Sequence, residues 1–429
     1  MGVFEIAIIL TCIIFVVALI YGRSFTDICI KWLYGCFSVL EFTMAATLLW
    51  LAWATIVESP YVGAAIQKIA KRARTLRSAT LLIAFSSTIL SWVNWIFGTY
   101  FALLLAREIA RENLKRGVKL DYPFLLACAY SGSVVGFLGI FSPVQLYVAD
   151  TIPHIGITKE IVPIHIARTV FSPSNIILSL VLIALVPIAL YAMRPRSEGV
   201  GVTVIPEEEL EKPTRIIYYK PPPREEWKLA HKLENSRIIT LVAVIAGLYA
   251  IIVNPVLKGF LTLRWALFIS IILGMLLNVT PIEYTYKVRE TARFGAFILV
   301  PMFFIAGISS IASWIGLHDQ IAYALIPLSP ISLFLFAFVV SMLSPEPSTL
   351  WVLIGPTIAR SVLVAGLSPI LGITCVVLGA QLSKFLQYRI YMPLFGFRAI
   401  GGMEKHIIKI FILACITYVV YLYLIRHFV

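Results

Sequence analysis

Charged residues are scarce in this sequence: they make up only 13% of its 429 residues, against about 25% in an ordinary soluble domain. Hydrophobic residues make up 60% of the chain, too large an apolar excess to bury in one soluble core. The apolar stretches have the length of membrane-spanning helices, about 20 residues, and not the ~10-residue alternation of an outer-membrane barrel. The composition therefore excludes a soluble enzyme, a coiled coil and a disordered scaffold, and it predicts an all-α polytopic membrane protein.

Motifs for metal binding, redox chemistry and catalysis are also missing. The six cysteines form no CxxC pair and the six histidines form no HExxH motif, so neither a zinc site nor a disulfide framework is indicated. No paired membrane aspartates or Gly-x-Ser-x-Gly serine point to an intramembrane enzyme. A channel would need a glycine-rich filter or a charged ring, and neither is visible. We expect no catalytic residues, no metal and no cofactor.

Basic residues set the expected topology. The formal net charge is +13, and the basic residues crowd between apolar spans, which indicates membrane orientation and no nucleic-acid partner. The N-terminus is expected in the cytoplasm and the C-terminus outside, in the plasma membrane of a prokaryote. The first apolar run lacks a basic leader and a cleavage site, so we expect a retained span. The apolar spans are 3–21, 32–55, 79–106, 123–149, 170–193, 238–254, 265–280, 295–313, 331–360, 366–392 and 407–425.

The stretch 79–106 has unusual flanks. Segments 56–78 and 107–121 each carry five basic residues, so a simple crossing would place one cluster outside. The polar and glycine residues in 91–98 divide the stretch into two short apolar arms. We therefore predict a re-entrant hairpin that enters and leaves on the cytoplasmic side; the alternative is one long tilted helix with a polar kink.

The chain divides into two halves around a hydrophilic segment. Residues 194–237 contain a triple proline and an acidic run but no apolar period, so they predict a cytoplasmic linker between a first repeat, 1–193, and a second repeat, 238–429. Each half ends with a broken stretch, an interrupted span and a plain span. The second broken stretch has few basic flanking residues and is expected to open outside. Inverted repeats with interrupted helices are typical of secondary transporters. The broken stretches are 79–106 and 331–360, and the interrupted spans are 123–149 and 366–392.

Three polar side chains lie at the predicted helix breaks. Lys384 falls near the middle of 366–392, where a cation could neutralise a substrate carboxylate or replace a sodium ion; alternatively the helix break lies earlier and the side chain extends to an interface. Glu346, in the second broken stretch, could pair with Lys384 or bind a coupling proton, unless it faces external water. Asn94 could hold an ion or a carboxylate, or could satisfy the backbone of a broken helix.

Other polar residues are weaker candidates. Hydroxyl and amide groups at helix breaks often only replace lost backbone hydrogen bonds. Arg107 and Glu108 are interpreted as topology and interface residues, and the tryptophans and tyrosines mainly as interfacial belts. The remaining candidates for substrate or ion binding are Ser142, Ser348, Thr349, Gln381 and Gln387.

Several segments resemble a known family. Val93–Gly98, Ala106–Arg111 and Asp121–Tyr130 are similar to consecutive motifs of the short-chain fatty acid transporter family, the acetoacetate and butyrate permeases. Asn235–Leu241 and Trp351–Pro356 are weaker similarities. The family's second hairpin tip is of Pro-Ser-Gly-Gly-Gly type, from which this chain departs.

The resemblance implies a fold and a function. The family resembles the ion transporter superfamily, which implies a homodimer whose transport domain carries two hairpins across the membrane by an elevator motion. We accordingly expect a secondary active transporter in the lipid bilayer for short-chain fatty acids or similar small monocarboxylates, with a proton or sodium as coupling ion. The alternative is a dicarboxylate or other organic anion symporter of the same superfamily.

Overall fold

The fold is a helical bundle with several broken helices. The computed structural model describes residues 3–149, 163–195, 202–213, 220–253, 261–325, 329–343 and 346–425, and these contain no β-strand. Among them, six helices are long and apolar enough to cross a membrane, or seven if a pair bent by 80° at residues 315–316 counts as one span. The prediction of an all-α polytopic membrane protein is confirmed.

In the first half of the chain, one predicted span corresponds to two helices. The span 32–55 is divided at Val39, and neither proline nor glycine marks this break. The helices of the first half are α1 (Val3–Ile20), α2 (Phe25–Ser38), α3 (Leu40–Val57), α4 (Pro60–Ala70), α5 (Leu76–Val93), α6 (Trp95–Lys115), α7 (Tyr122–Tyr130), α8 (Pro143–Val148) and α9 (Pro173–Ala192).

The stretch 79–106 folds back on itself. Asn94 has extended backbone angles (φ −154°, ψ 133°) and separates α5 from α6, which pack against each other. Gly98 permits this approach, because a Cβ there would lie 2.0 Å from the backbone nitrogen of Ser91. A single kinked helix is therefore wrong for this stretch. Entry from the cytoplasmic side stays a prediction.

The second half has one break later than expected. Helix α18 continues to Leu386 and is interrupted only at Gln387, so Lys384 lies in its last turn and not in the middle of a span. Ser344 and Pro345, at the expected second tip, lie outside the described residues. The remaining helices are α10 (Glu207–Glu211), α11 (Leu229–Glu234), α12 (Arg237–Val253), α13 (Leu263–Asn278), α14 (Pro281–Trp314), α15 (Leu317–Leu325), α16 (Pro330–Ser341), α17 (Pro347–Val364), α18 (Pro369–Leu386), α19 (Tyr388–Tyr391) and α20 (Glu404–Ile425).

Part of the predicted linker packs against the first half. The Tyr122 backbone N–H donates to the Thr203 carbonyl at 2.9 Å, and Ile205 and Glu209 are buried. We call residues 202–213 the strap. The linker is thus more than a solvated connection, because its strap is held at the junction of α6 and α7.

Candidate functional site

The interrupted span 123–149 crosses the tip of the α5–α6 hairpin. After α7 and a 3₁₀ turn at Ser131–Val134, residues 135–142 are non-helical; we call them the crossover segment. The Ile140 and Phe141 N–H groups donate to the carbonyls of Trp92 and Val93, each at 3.0 Å. These bonds satisfy backbone groups that a broken helix leaves without partners. The crossover segment is therefore fixed to the hairpin tip.

Asn94 joins these two elements. Its Oδ1 accepts a hydrogen bond from the Phe97 N–H at 3.2 Å and so caps α6, while its Nδ2 lies 3.5 Å from the Phe141 carbonyl. The side chain is 3% exposed. Both ends of the amide therefore satisfy the backbone of a broken helix; a role in binding stays a prediction.

The crossover segment also holds two glutamines whose free ends are buried. Gln381 Oε1 accepts from the Phe137 N–H at 2.9 Å, and Gln145 Nε2 donates to the Phe137 carbonyl at 3.0 Å. Within the described part of the chain, Gln381 Nε2, Gln145 Oε1 and the Ser142 hydroxyl are buried without a hydrogen-bond partner. Buried polar atoms are nearly always satisfied by protein or water. Three such atoms around one segment therefore indicate a place for water or a polar ligand.

Lys384 lies in a cage of aromatic rings. Its side chain is fully buried, and its Nζ has no hydrogen-bond partner among the described residues. The Nζ lies 3.3 Å from the ring centre of Trp95, 3.9 Å from Phe137, 4.8 Å from Tyr391 and 5.7 Å from Trp50. We call these four rings the aromatic cage. Ring faces attract cations, with about 2 kcal/mol or more for a desolvated pair. The cage can therefore stabilise an ammonium group that does not reach the surface of the chain.

Glu346 caps α17 from inside the protein. Its Oε2 accepts from the Thr349 N–H at 2.8 Å and the Thr349 hydroxyl at 3.2 Å, and its Oε1 accepts from the Ser348 hydroxyl at 3.0 Å. Only 1% of the residue is exposed, so the alternative that it faces external water does not fit this structure. Glu346 and Lys384 interact electrostatically, but the described structure contains no direct ion pair between them.

Gln387 connects the helix break after α18 to the end of α16. Its Nε2 donates to the carbonyls of Ser341 and Met342, each at 3.3 Å, while its Oε1 is buried without a partner in the described structure. The Tyr130 hydroxyl donates to the Lys384 carbonyl at 3.1 Å. All eight predicted site residues are thus buried, at 7% exposure or less. Asn94, Ser142 and Gln381 lie at the crossover segment, and Glu346, Ser348 and Thr349 form the α17 cap. Lys384 interacts with both groups, whereas Gln387 lies apart at the break after α18.

Sequence reasoning missed the aromatic walls of this site and a second buried carboxylate. Trp50, Trp95 and Tyr391 are fully buried, although tryptophan and tyrosine were expected mainly at membrane interfaces. The Tyr100 hydroxyl donates to the carboxylate of Glu58, which is also fully buried. Two features of the sequence could have indicated these aromatic walls: Trp95 follows Asn94 directly, and Tyr391 follows Lys384 by seven residues.

Arg107 holds the strap. Its guanidinium is fully buried; it donates to the Pro213 carbonyl at 2.7 Å, lies 3.5 Å from the carboxylate of Glu209 and packs over the ring of Phe397 at 5.2 Å. Arg107 was expected to lie at an interface, and these contacts place it between the strap and Phe397. One side chain of the first half contacts both the strap and the segment that follows α19 in the second half.

These features are typical of one class of protein: a polytopic helical bundle whose broken helices surround a fully buried lysine and unpartnered polar groups is a membrane transporter. The chain belongs to the short chain fatty acid transporter family, whose sequence model matches residues 3–425. The family is one of transporters, so the protein is not an enzyme.

Two bacterial relatives are similar over most of their length, and each is called "Putative short-chain fatty acid transporter". The one from Escherichia coli K12 is 28% identical over 363 residues, covering 82% of this chain and 79% of the relative. The one from Haemophilus influenzae is 25% identical over 409 residues, covering 92% and 89%.

Two solved transporters share the fold. The YdaH transporter of Alcanivorax borkumensis, described as having an unusual topology, matches with a TM-score of 0.59 at 13% identity, covering 100% of this chain and 99% of that one. MtrF of Neisseria gonorrhoeae, described with a class of antimetabolite efflux pumps, matches with a TM-score of 0.59 at 12% identity, covering 98% and 94%.

Proposed function

We propose that this protein is a secondary active transporter that moves short-chain fatty acids or similar small monocarboxylates across the plasma membrane. The observation that carries the proposal is Lys384, a buried lysine whose Nζ has no hydrogen-bond partner in the described chain. An ionisable group at such depth is costly and is retained for function. One cation matches one carboxylate.

The groups around Lys384 suit both ends of such a substrate. Its Nζ and the free Nε2 of Gln381 are hydrogen-bond donors, and donors with a positive charge form the stronger bonds to carboxylates. The aromatic cage supplies apolar surface for a short acyl chain. A dicarboxylate would call for a second cationic group. Among the described residues, the buried ionisable group that interacts electrostatically with Lys384 is Glu346, which is acidic and not a second cation; this favours a monocarboxylate.

The broken helices support an elevator motion as the route of the substrate across the membrane. The repeats 1–193 and 238–429, related by inversion, would each contribute one hairpin and one interrupted span to a transport domain. That domain would carry the substrate by an elevator motion against a scaffold domain within a homodimer. A proton or sodium gradient would drive the cycle.

The test is counterflow of radiolabelled butyrate in liposomes that contain the purified protein, with equal pH on both sides. Equal pH matters because protonated butyric acid crosses bilayers unaided; protein-free liposomes supply the background. We expect saturable exchange that acetoacetate inhibits and succinate does not. Lys384→Met should abolish it, whereas Lys405→Met, at an exposed position on α20, should not. Equal inhibition by succinate would favour the dicarboxylate alternative, and full exchange by Lys384→Met would refute the proposed role of Lys384.

A further inference from the structure

We propose that transport is electroneutral and that each monocarboxylate is accompanied by one proton, which binds Glu346 while Lys384 remains a resident cation. This inference rests on the proposed function and names its coupling ion and stoichiometry. It is argued from the positions of two ionisable side chains of the protein itself, Glu346 and Lys384.

The first observation is the position of the Glu346 carboxylate. It occupies the N-terminus of α17, an 18-residue helix, and accepts one backbone N–H and two hydroxyl hydrogen bonds. A helix N-terminus favours negative charge because its free N–H groups and its dipole both point at the anion. The chain's own carboxylate therefore sits where a substrate carboxylate would find donors close to Lys384.

The second observation concerns the acidic counter-charge of Lys384 among the residues that the structure describes. Glu346 is the acidic group of the described chain that acts on it electrostatically, and the remaining contacts of its Nζ are the faces of the aromatic cage. On the side of Glu346, the interacting titratable groups are Lys384 and the hydroxyl of Tyr391. His318, on the packed helix α15, bonds Thr357 about three helical turns further along α17.

In this proposal the net charge of the site is zero in both the empty carrier and the loaded carrier, the two states that must cross the membrane. In the empty carrier, the ammonium of Lys384 offsets the carboxylate of Glu346. When a monocarboxylate arrives, it becomes the counter-ion of Lys384, and Glu346 accepts a proton from the aqueous side that is open; the new O–H bond breaks when the site opens on the other side. Both states are neutral. An uncompensated charge would oppose movement through a low-dielectric membrane.

A sodium ion could also balance the loaded state, but the local chemistry disfavours it. The α17 cap presents a backbone N–H, and Lys384 presents an ammonium group; both are donors that repel a cation. A proton needs only the carboxylate itself.

Glu346→Gln separates movement of the loaded carrier from return of the empty carrier. Glutamine keeps the shape of the protonated glutamate side chain. The loaded carrier of this variant is neutral, whereas its empty carrier has one positive charge and cannot return. We expect Glu346→Gln to retain butyrate counterflow at equal pH but to lose net uptake driven by an inward proton gradient, down to the protein-free background. The control Glu225→Gln removes an exposed linker carboxylate and should behave as the unmodified protein.

Measurements on the unmodified protein test the proposal without any variant. With the membrane potential clamped by potassium and valinomycin, net uptake should be the same at zero and at inside-negative potential. A pH dye trapped in the lumen should report one proton for each butyrate above the protein-free rate. Uptake that depends on voltage, a requirement for sodium, or proton-driven uptake by Glu346→Gln would overturn the inference while leaving carboxylate transport intact. Absence of counterflow in the unmodified protein would overturn the proposed function, and the inference with it.

Discussion

Gly139 allows the crossover segment to approach the backbone of the hairpin tip closely, so replacing this glycine tests the geometry. A Cβ at this position would lie 1.6 Å from the Trp92 carbonyl oxygen and 2.4 Å from its carbon. These are backbone atoms, so no side-chain rotation can relieve the overlap. In Gly139→Ala the segment must move away, which stretches the hydrogen bonds from the Ile140 and Phe141 N–H groups to Trp92 and Val93.

The size of the effect can be worked from these contacts. Forcing an extra carbon into a packed interior costs about 1–3 kcal/mol, and each lost hydrogen bond adds about 0.5–1.5 kcal/mol net. We therefore expect Gly139→Ala to destabilise the folded protein by about 2–6 kcal/mol. The matched control is Gly401→Ala, because nothing lies within 4 Å of a Cβ there.

The assay is thermal unfolding of the purified variants in detergent, followed by tryptophan fluorescence, to which Trp92 and Trp95 at the tip contribute. Gly139→Ala should melt several degrees below the unmodified protein and Gly401→Ala should match it. Butyrate counterflow should fall in the first variant only. Equal melting temperatures and equal exchange for both variants would mean that the crossover segment does not approach the hairpin tip as described.

Three further predictions concern charge and capping. Lys384→Met should lower stability by about 3–5 kcal/mol because it leaves the buried Glu346 without its counter-charge. The double variant Lys384→Met/Glu346→Gln should melt higher than Lys384→Met, and equal melting would count against electrostatic pairing. Asn94→Ala should cost about 1 kcal/mol, the usual value of a helix N-cap, and Asn94→Ser, which keeps a neutral oxygen able to cap, should restore part of it; no loss would argue against a capping role. Arg107→Ala should release the strap, so a glutamate-specific protease should cut after Glu209 faster than in the control Arg224→Ala; unchanged cleavage would contradict the proposed anchor.

Local polarity made some breaks predictable and left others hidden. Asn94 and Gly98 interrupt an apolar stretch with residues that favour a cap and a close approach, so the fold-back between α5 and α6 could be inferred from sequence. The break at Val39 has no such residue. Gln387 ends α18 three residues beyond Lys384, and the neighbouring polar residues gave no means to choose among them. Propensity alone fixes helix ends only approximately.

The strap lies within residues 194–237, which were predicted to be a linker because their sequence lacks an apolar period. What holds it is a set of partners distant in the chain, above all the buried guanidinium of Arg107 and the backbone N–H of Tyr122. A pattern within one segment cannot reveal such contacts. Arg107, a basic residue of α6, thus anchors the connection between the two halves of the chain.

The aromatic cage shows why the candidate site itself was only partly predictable. Lys384 was conspicuous because a lysine is costly within an apolar helix, but the rings that surround it come from four separate segments. Trp50, Trp95 and Phe137 belong to the first half of the chain, and only Tyr391 belongs to the same half as the lysine. The lysine of the second half is thus surrounded mainly by rings of the first. Neither half alone can supply both Lys384 and the rings that enclose it, so assembly of the halves is a physical condition for the candidate site.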